Sequence, residues 1–325
     1  MATLLQCIDT MISNISVTDR QEENIKSSLI NIEEHLKKKE NDLNVDRTFT
    51  NGSYERDTII RPLNDIDLFA VLKKDNWIDQ YGNLPNPQSV LTKIKNYLDS
   101  LNDYKDKVKQ DRPCVTIVLS AKDFDILPSF ETGYGGYSIP NEDLKTWTYS
   151  FPEQLTTNLD NVHRLRKYKV KPVIKVVKYW NREHNKYIPS YHIEETSIEI
   201  FKANDFTNFE QAIRLWFNNA EFHLQVQKFK SDDEYQTVIM RIKKVKGKLN
   251  NAKTELDNGK EGDAIKIWKE VFEKEFPTVD IEEAKNFSKS LVEGSLKIGP
   301  AGTISTSIGK EVPKSGGFYG KIPED

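Results

Sequence analysis

Two aspartates, Asp65 and Asp67, limit the possible folds and functions of this 325-residue chain more than any other feature, because they lie in an apolar run. The run from Asn64 to Leu72 predicts a buried strand, in which side chains two residues apart leave the same face. Asp65 and Asp67 should therefore point together, and two like charges held together need a cation or a shared proton. A Gly52-Ser53 turn, separated from Asp65 by eleven residues, offers N–H groups and a hydroxyl to phosphate. These are the parts of a metal-dependent nucleotidyl-transfer site.

A third carboxylate would complete such a site, and Asp125 is the best candidate. It lies in a second apolar stretch, Phe124–Leu127, and an acid in a buried strand needs a partner. Asp123 leaves the same face and is the second choice, and either acid could instead simply end a strand. Mg²⁺ prefers oxygen ligands, and two such ions can clamp the attacking hydroxyl and the leaving pyrophosphate. We therefore expect two Mg²⁺ ions, replaceable by Mn²⁺, at Asp65, Asp67 and Asp125.

A cationic stripe marks the helix predicted over residues 169–183. Its members recur at helical spacing opposite a face of valines; they are Lys171, Lys175, Lys178 and Arg182. Ser190 and Tyr191 follow shortly after. Lys178, the Ser190 hydroxyl and the Tyr191 ring could hold the phosphate tail, a phosphate oxygen and the base of one nucleotide. The alternative is an ordinary amphipathic helix whose lysines face solvent.

The composition is that of a globular protein, with 37% hydrophobic and 30% charged residues. A formal net charge of −3 argues against a chain whose main task is to bind nucleic acid. The two cysteines and five histidines have no zinc-ligand spacing. No segment resembles a signal peptide or reaches the roughly 18 apolar residues of a membrane span. We expect a cytoplasmic enzyme that does not contact a membrane.

The order of the predicted elements indicates an α+β fold, with a small mixed sheet backed by helices and then a helical C-terminal part. Thr18 and Gln21 have the spacing of a capping box at the start of a helix. Pro128 is expected to end the strand that carries Asp125, and residues 131–161 are predicted to be rich in loops. The predicted helices are 18–40, 86–102, 169–183, 232–259 and 262–276, and the strands after Asp67 are 114–119 and 124–127.

Three regions follow from this order. Residues 1–160 are predicted to form the catalytic core, including the long N-terminal helix. Residues 161–284 are predicted to form a helical lobe that completes the donor-nucleotide pocket. Residues 285–325 are rich in glycine mixed with serine, threonine, proline and lysine, which leaves little capacity to build a core. We expect a flexible tail there.

The two motifs together resemble a known group of enzymes. Gly52-Ser53, the spacer and Asp65-Ile66-Asp67 resemble the signature of polymerase-β-type nucleotidyltransferases. From about residue 15 to 280, further segments are similar to the bacterial CD-NTases, the cGAS/DncV-like nucleotidyltransferases. These segments are Thr50–Thr58, Arg61–Asp67, Phe124–Pro128, Ile139-Pro140, Trp147, Lys178–Asn181, Ser190-Tyr191 with Glu194, and Ala264-Ile265 with Trp268, Phe272 and Phe276-Pro277.

The resemblance implies a polymerase-β-like nucleotidyltransferase core with a helical C-terminal lobe. It also implies an enzyme that joins nucleoside triphosphates, with release of pyrophosphate, into a cyclic di- or trinucleotide messenger for anti-phage (CBASS) signalling. Asp65, Asp67 and Asp125 would bind the metals, and Asp125 would help to activate the attacking hydroxyl. The residues that would contact the donor nucleotide are Gly52, Ser53, Lys175, Lys178, Ser190 and Tyr191, the last by stacking on the base.

The resemblance leaves the substrates and partners partly open. ATP is the expected substrate, and GTP, UTP and CTP stay open. Animal DNA-sensing relatives carry a zinc-binding insertion that this sequence lacks, so activation by DNA is not expected. The tail is expected to dock a regulatory protein or to fold over the active site. Three other functions stay open: a template-independent nucleotidyltransferase that makes linear oligonucleotides or extends RNA 3′ ends, a nucleotide-binding scaffold without catalysis, and nucleotidylation of a protein.

Overall fold

The computed structural model describes residues 3–278, except Asn64, Arg112 and Ala121, and the backbone of three two-residue strands further on. Residues 11–247 form one compact unit, and residues 1–10 with 248–325 form a second. The predicted tail, residues 285–325, lies outside the described residues apart from those short strands. Every candidate site residue belongs to the first unit.

A mixed sheet forms the centre of the first unit. Its described strands are β1 Val45–Asn51, β2 Ile66–Leu72, β3 Val108–Asp111, β4 Cys114–Leu119, β5 Lys122–Glu131, β6 Tyr137–Pro140 and β7 Trp147–Ser150. The order across the sheet is β1-β2-β5-β4-β3, and β6 and β7 continue from the C-terminal end of β5. β2 and β5 run parallel, whereas the other neighbours pair antiparallel.

Helices complete the described chain. They are α1 Leu4–Ile15, α2 Asp19–Leu36, α3 Gly52–Glu55, α4 Pro87–Asp99, α5 Pro152–Leu165, α6 Val170–Glu183, α7 Ser190–Ala203, α8 Phe209–His223, α9 Asp232–Asp257 and α10 Glu261–Phe272. The apolar sides of α2 and α4 share one buried core with alternate residues of β2, namely Ile66, Leu68 and Ala70. Because strand side chains alternate, Asp67 leaves the opposite face of the sheet. The core therefore fixes the sheet from one side and leaves the acidic face uncovered by α2 and α4.

The predicted α+β class is confirmed, and several element boundaries differ from the prediction. The Thr18–Gln21 capping box starts α2 as predicted. That helix ends at Leu36 rather than near residue 40, because the Asn41 side chain donates to the carbonyls of His35 and Leu36 at 3.0 and 3.1 Å. A side-chain donor outside the helix that satisfies the carbonyls of the last turn ends α2 early.

The strand that carries Asp125 does not end at Pro128 but continues to Glu131. β5 pairs with β4 only from Lys122 to Ile126, so Pro128 lies beyond this pairing. The missing N–H of the proline therefore removes no hydrogen bond between β5 and β4. The region predicted to be loop-rich contains β6, β7 and the start of α5. These strands are only four residues long, too short for a periodic pattern to indicate them.

The helices α6, α7 and α8 pack on one another around buried tryptophans of the first unit. Trp180 and Trp216 are almost fully buried, and the Trp216 indole donates to the Ser197 hydroxyl at 2.9 Å. In the second unit, the Leu4 N–H donates to the Glu261 carboxylate at 2.8 Å. Among the residues that the structure describes, no helix is both long and apolar enough to cross a membrane.

Candidate active site

The two predicted metal-binding strands are neighbours, and their acids lie side by side. β2 and β5 pair in parallel with Asp67 opposite Asp125, so the two side chains leave the same face of the sheet. Asp65 immediately precedes β2 and adds its charge to those acting on both of the other acids. The structure therefore places Asp67 and Asp125 side by side, with Asp65 near enough to raise the pKa of both.

The electrostatics of this face penalise its negative charge. Burial, and then the neighbouring Asp125 carboxylate, raise the pKa of Asp67 to about 6, against an opposing effect of the Arg56 guanidinium. Burial also raises the pKa of Asp125, although the Thr116 hydroxyl donates to its Oδ1 at 2.6 Å and works in the other direction. A cation bound between these groups would reverse the like-charge part of the penalty.

The donor set fits divalent cations that prefer oxygen. Asp67 and Asp125 on one face of the sheet, with Asp65 just before β2, offer hard carboxylate ligands, and Asp67 and Asp125 repel each other where a cation would attract both. Across the described residues, no three His, Cys, Asp or Glu side chains are already gathered as a ready-made metal site. The carboxylate of Asp125 is turned to Thr116, so its engagement of a cation would require sharing or releasing that bond.

The predicted Gly-Ser turn lies directly against the acidic face. Gly52 follows Asn51, which pairs with Asp67 across the β1–β2 ladder. A Cβ atom at Gly52 would lie 1.7 Å from Oδ2 of Asp67, and its φ of +69° is one that L-residues rarely adopt. The carbonyl of Ser53 accepts from the N–H groups of Thr58 and Ile59 at 2.8 and 2.9 Å, which fixes the turn. Only glycine fits here, and it allows the backbone to touch the carboxylate.

A small cavity joins the turn to the helices that follow. Ser53 lines it from the turn, Lys178 from α6 and Ser190 from the start of α7. Three of the predicted donor-site residues, which are far apart in sequence, thus face one space about the Gly-Ser turn. A lysine and two hydroxyls are suitable ligands for phosphate oxygens.

Comparisons with known proteins agree with this geometry. Residues 1–162 match the model of the Second Messenger Oligonucleotide or Dinucleotide Synthetase domain. A cyclic AMP-AMP-AMP synthase of Acinetobacter sp. is 25% identical over 304 residues, which cover 83% of this chain and 84% of that protein. The chain belongs to the CD-NTase family of nucleotidyltransferases.

Solved structures share the fold of this CD-NTase. E. coli CdnC with ATP superposes with a TM-score of 0.67 at 16% identity, covering 84% of this chain and 99% of that one. CdnC is also known in a complex named CdnC:HORMA-deltaN, with the same TM-score of 0.67. Vibrio cholerae DncV, a cyclic AMP-GMP synthase in complex with a linear intermediate, gives a TM-score of 0.64 at 13% identity and covers 82% of this chain and 94% of that one.

The cationic stripe of this CD-NTase is not the solvated helix face that was the alternative at Lys175 and Lys178. Both lysines are buried, with 8% and 6% of their surface exposed. Lys175 donates to the Asp57 carboxylate at 2.7 Å, in the loop after the Gly-Ser turn. Lys171 pairs with Asp160 at 2.8 Å. The stripe faces acids of neighbouring elements, which an amphipathic pattern cannot distinguish from solvent.

Tyr191 lines a different and larger space than its neighbour Ser190. This cavity of about 1130 Å³ lies between the β6–β7 hairpin and the helices α5 and α7, and Tyr149 and Phe151 also line it. The ring of Tyr191 is 42% exposed, and the Lys228 ammonium lies 5.1 Å from its centroid. An exposed ring beside a nucleotide-sized cavity is available for stacking.

Two groups around the site were not predicted from the residue pattern. Thr116 is a polar residue inside the apolar strand β4, and this was the only feature of the sequence that could have indicated it. Glu194 is fully buried on α7, where it accepts from Arg56 and Lys178 at 2.7 Å each. Glu194 entered only as part of the family resemblance, because α7 itself was not predicted.

Proposed function

We propose that this CD-NTase joins nucleoside triphosphates, ATP foremost, into a cyclic di- or trinucleotide with release of pyrophosphate. One observation carries the proposal: Asp67 and Asp125 lie side by side on parallel strands, directly against the Gly52 turn. That arrangement supports a cation site next to a triphosphate site. Phosphoryl-type transfer needs little else than such positioning and charge neutralisation.

Each residue has a part in the reaction that its surroundings support. Asp65, Asp67 and Asp125 would hold divalent cations, which would supply neutralisation of the charge that develops on the phosphate oxygens. Ser53, Lys178 and Ser190, which line one small cavity, contact oxygens of the donor triphosphate, and Tyr191 stacks on its base. Lys175, one turn from Lys178, keeps the loop at Asp57 in place beside the turn.

In each joining step a ribose hydroxyl oxygen of one nucleotide attacks the α-phosphorus of another. The new oxygen–phosphorus bond forms as the bond to the bridging oxygen of the β-phosphate breaks, and pyrophosphate leaves. Asp125, beside Asp67 on the acidic face, helps to activate the attacking hydroxyl. A last step between the two ends of the chain closes the ring.

The relatives favour ATP and a signalling role. Proteins named cyclic AMP-AMP-AMP synthase are related to this chain in both Acinetobacter sp. and E. coli, and CdnC has been solved with ATP. The CdnC:HORMA-deltaN complex supports a regulatory protein partner. We propose that the product is a second messenger in anti-phage (CBASS) defence, and that residues 285–325 contact such a partner.

Product analysis tests this function. Purified protein is incubated with all four nucleoside triphosphates and Mg²⁺, with and without RNA, and products that resist phosphatase are identified by mass spectrometry. We expect a cyclic oligoadenylate without RNA. Asp65→Ala with Asp67→Ala should make none, whereas the matched control Asp232→Ala with Asp233→Ala, at the start of α9, should retain it.

Other products would identify other functions. Linear products or RNA extended at its 3′ end would favour the general nucleotidyltransferase instead. A wild-type protein that binds ATP but yields no product would favour the inactive scaffold. Product made by the Asp65 and Asp67 double variant would contradict the role given to the carboxylates.

A further inference from the structure

A closed cluster of charges lies behind the predicted phosphate cavity. Glu194 on α7 is fully buried, and its Oε2 accepts from Nε of Arg56 at 2.7 Å. Its Oε1 accepts from Nζ of Lys178 at 2.7 Å and from the Thr58 hydroxyl. The Lys178 ammonium also donates to Oγ1 of Thr58 at 2.9 Å. At most 6% of the surface of any of these four residues is exposed.

The cluster ties together elements on both sides of the Gly-Ser turn. Arg56 and Thr58 belong to the segment that follows the turn, Lys178 to α6 and Glu194 to α7. Arg56 donates in addition to the Asn51 side chain at 3.1 Å, one residue before Gly52. Its two bonds connect the buried carboxylate to the edge of the turn.

The two carboxylate oxygens of Glu194 have different donors, and this difference allows Lys178 to move. A buried carboxylate left without partners is costly, and so is a buried ammonium. If Lys178 turned towards a phosphate, Oε2 of Glu194 would keep Arg56 and Oε1 would keep Thr58. The lysine can therefore move to a ligand without leaving its former partner unpaired.

We propose that Glu194 is a positioning residue that holds Lys178 charged and directed at the cavity shared with Ser53 and Ser190. Arg56 and Thr58 hold Glu194 in place while Lys178 engages the triphosphate. The inference rests on the proposed function in one respect only, namely that Lys178 contacts the donor triphosphate.

The charges around Lys178 make the carboxylate necessary. Arg56 repels the ammonium, as do Arg182 and Lys186 on the rim of the same cavity, while Glu194 and Asp67 attract it. Burial lowers the pKa of Lys178, and Glu194 opposes that effect. Burial would raise the pKa of Glu194, but the Lys178 ammonium and the Arg56 guanidinium outweigh it and hold that pKa below its usual range. Without the carboxylate, Lys178 should lose its proton at a lower pH.

Nucleotide binding as a function of pH tests this role. The probe is α,β-methylene-ATP with Mg²⁺, which binds without turnover, measured by isothermal titration calorimetry on the full chain. In Glu194→Gln we expect the loss of affinity at alkaline pH to begin at a lower pH than in the wild type, with about a tenfold loss per pH unit beyond the midpoint. The matched control Glu210→Gln, which removes another mostly buried carboxylate paired with Arg214 at 2.7 Å, should keep the wild-type midpoint.

A second substitution separates charge from shape. Arginine stays protonated at every pH tested, so Lys178→Arg combined with Glu194→Gln should bind the analogue at alkaline pH without the early loss. A role limited to packing would weaken binding equally at all pH values and would not be rescued in this way. Circular dichroism checks folding, and if Glu194→Gln does not fold, Glu194→Asp, which keeps the charge, should retain the wild-type midpoint.

The outcomes distinguish this inference from the function on which it rests. An unchanged midpoint in Glu194→Gln, or a lowered one in Glu194→Asp, would overturn the inference. Equal binding by Lys178→Met and the wild type would overturn its premise. A wild-type chain that binds the analogue with the expected pH dependence, yet forms no cyclic product from ATP, would refute the proposed function and leave the role of Glu194 standing.

Discussion

Replacing Asp67 by asparagine should stabilise the protein while it removes the activity. Burial and the Asp125 carboxylate raise the pKa of Asp67 from 3.8 to about 6, so the folded state holds this charge at a cost at neutral pH. At about 1.4 kcal/mol per pH unit, the difference corresponds to about 3 kcal/mol. Asp67 remains partly in contact with solvent, which screens the charge, so we expect a gain of about 1–3 kcal/mol in the free energy of unfolding.

The sign of the pH dependence follows from the raised pKa. A group that holds its proton more tightly in the folded state stabilises the fold below its unfolded pKa, and this contribution is lost as pH rises through the folded value. The wild type should therefore lose stability relative to Asp67→Asn between about pH 4 and pH 6. Above about pH 7 the advantage of the variant should be complete.

Urea denaturation followed by circular dichroism measures this advantage, at about pH 4.5 and pH 8 with EDTA present. Added Mg²⁺ should narrow the gap at pH 8, because a cation that binds the folded wild type stabilises it and the amide binds it more weakly. The matched control is Asp79→Asn, an exposed loop position where hydrogen bonds from Asn83 lower the pKa of the carboxyl. That change should stabilise nothing at either pH.

Two results would refute the reasoning. If Asp67→Asn were no more stable than the wild type at pH 8 without metal, the acidic face would not be under electrostatic strain. If its advantage were the same at both pH values, the gain would come from packing rather than from charge.

Cyclic product formed by the variant at the wild-type rate would contradict the role of Asp67 as a metal ligand.

Gly52→Ala should lower the free energy of unfolding by about 2 kcal/mol and product formation by at least about tenfold, because the methyl group meets a carboxylate at a strained φ. Gly82→Ala has a comparable φ of +83° in open space, so thermal melting should show its backbone penalty while activity stays unchanged. Thr116→Val removes the bond that lowers the pKa of Asp125, so the acid limb of the pH–rate profile should move to higher pH. Its control is Thr48→Val: the Thr48 hydroxyl is buried without a partner among the described residues, so this profile should not move.

The acidic half of the candidate site could be predicted far better than its surroundings. The acids of β2 and the Gly-Ser turn lie within one short segment, so local spacing sufficed to place them together. The neighbour relation of Asp67 and Asp125 is different, since it depends on a parallel pairing between distant strands. The anomaly of an acid in an apolar stretch suggested Asp125, but nothing in the sequence specified the register that places it opposite Asp67.

The buried contacts of Lys178 show why the remaining part of the site could not be predicted from the sequence. A helical pattern records which positions are polar, and it cannot tell a solvated lysine from one buried against a carboxylate of another helix. Lys178 is buried because Glu194 is there, and Glu194 is tolerated because Arg56 and Thr58 are there. The burial of each residue in the cluster depends on the others, so this burial has no local signal in the sequence.

The acidic face and the Lys178 cluster differ in how their buried charges are compensated. The acidic face is left under repulsion, so that binding a cation relieves a penalty already present in the fold. The lysine, by contrast, receives its counter-charge from the protein itself. Arg56 belongs to both halves: it pairs with Glu194 at 2.7 Å and is the neighbour that lowers the pKa of Asp67. Arg56 therefore couples the two halves of the site, because the same guanidinium stabilises the buried Glu194 carboxylate and the Asp67 carboxylate of the acidic face.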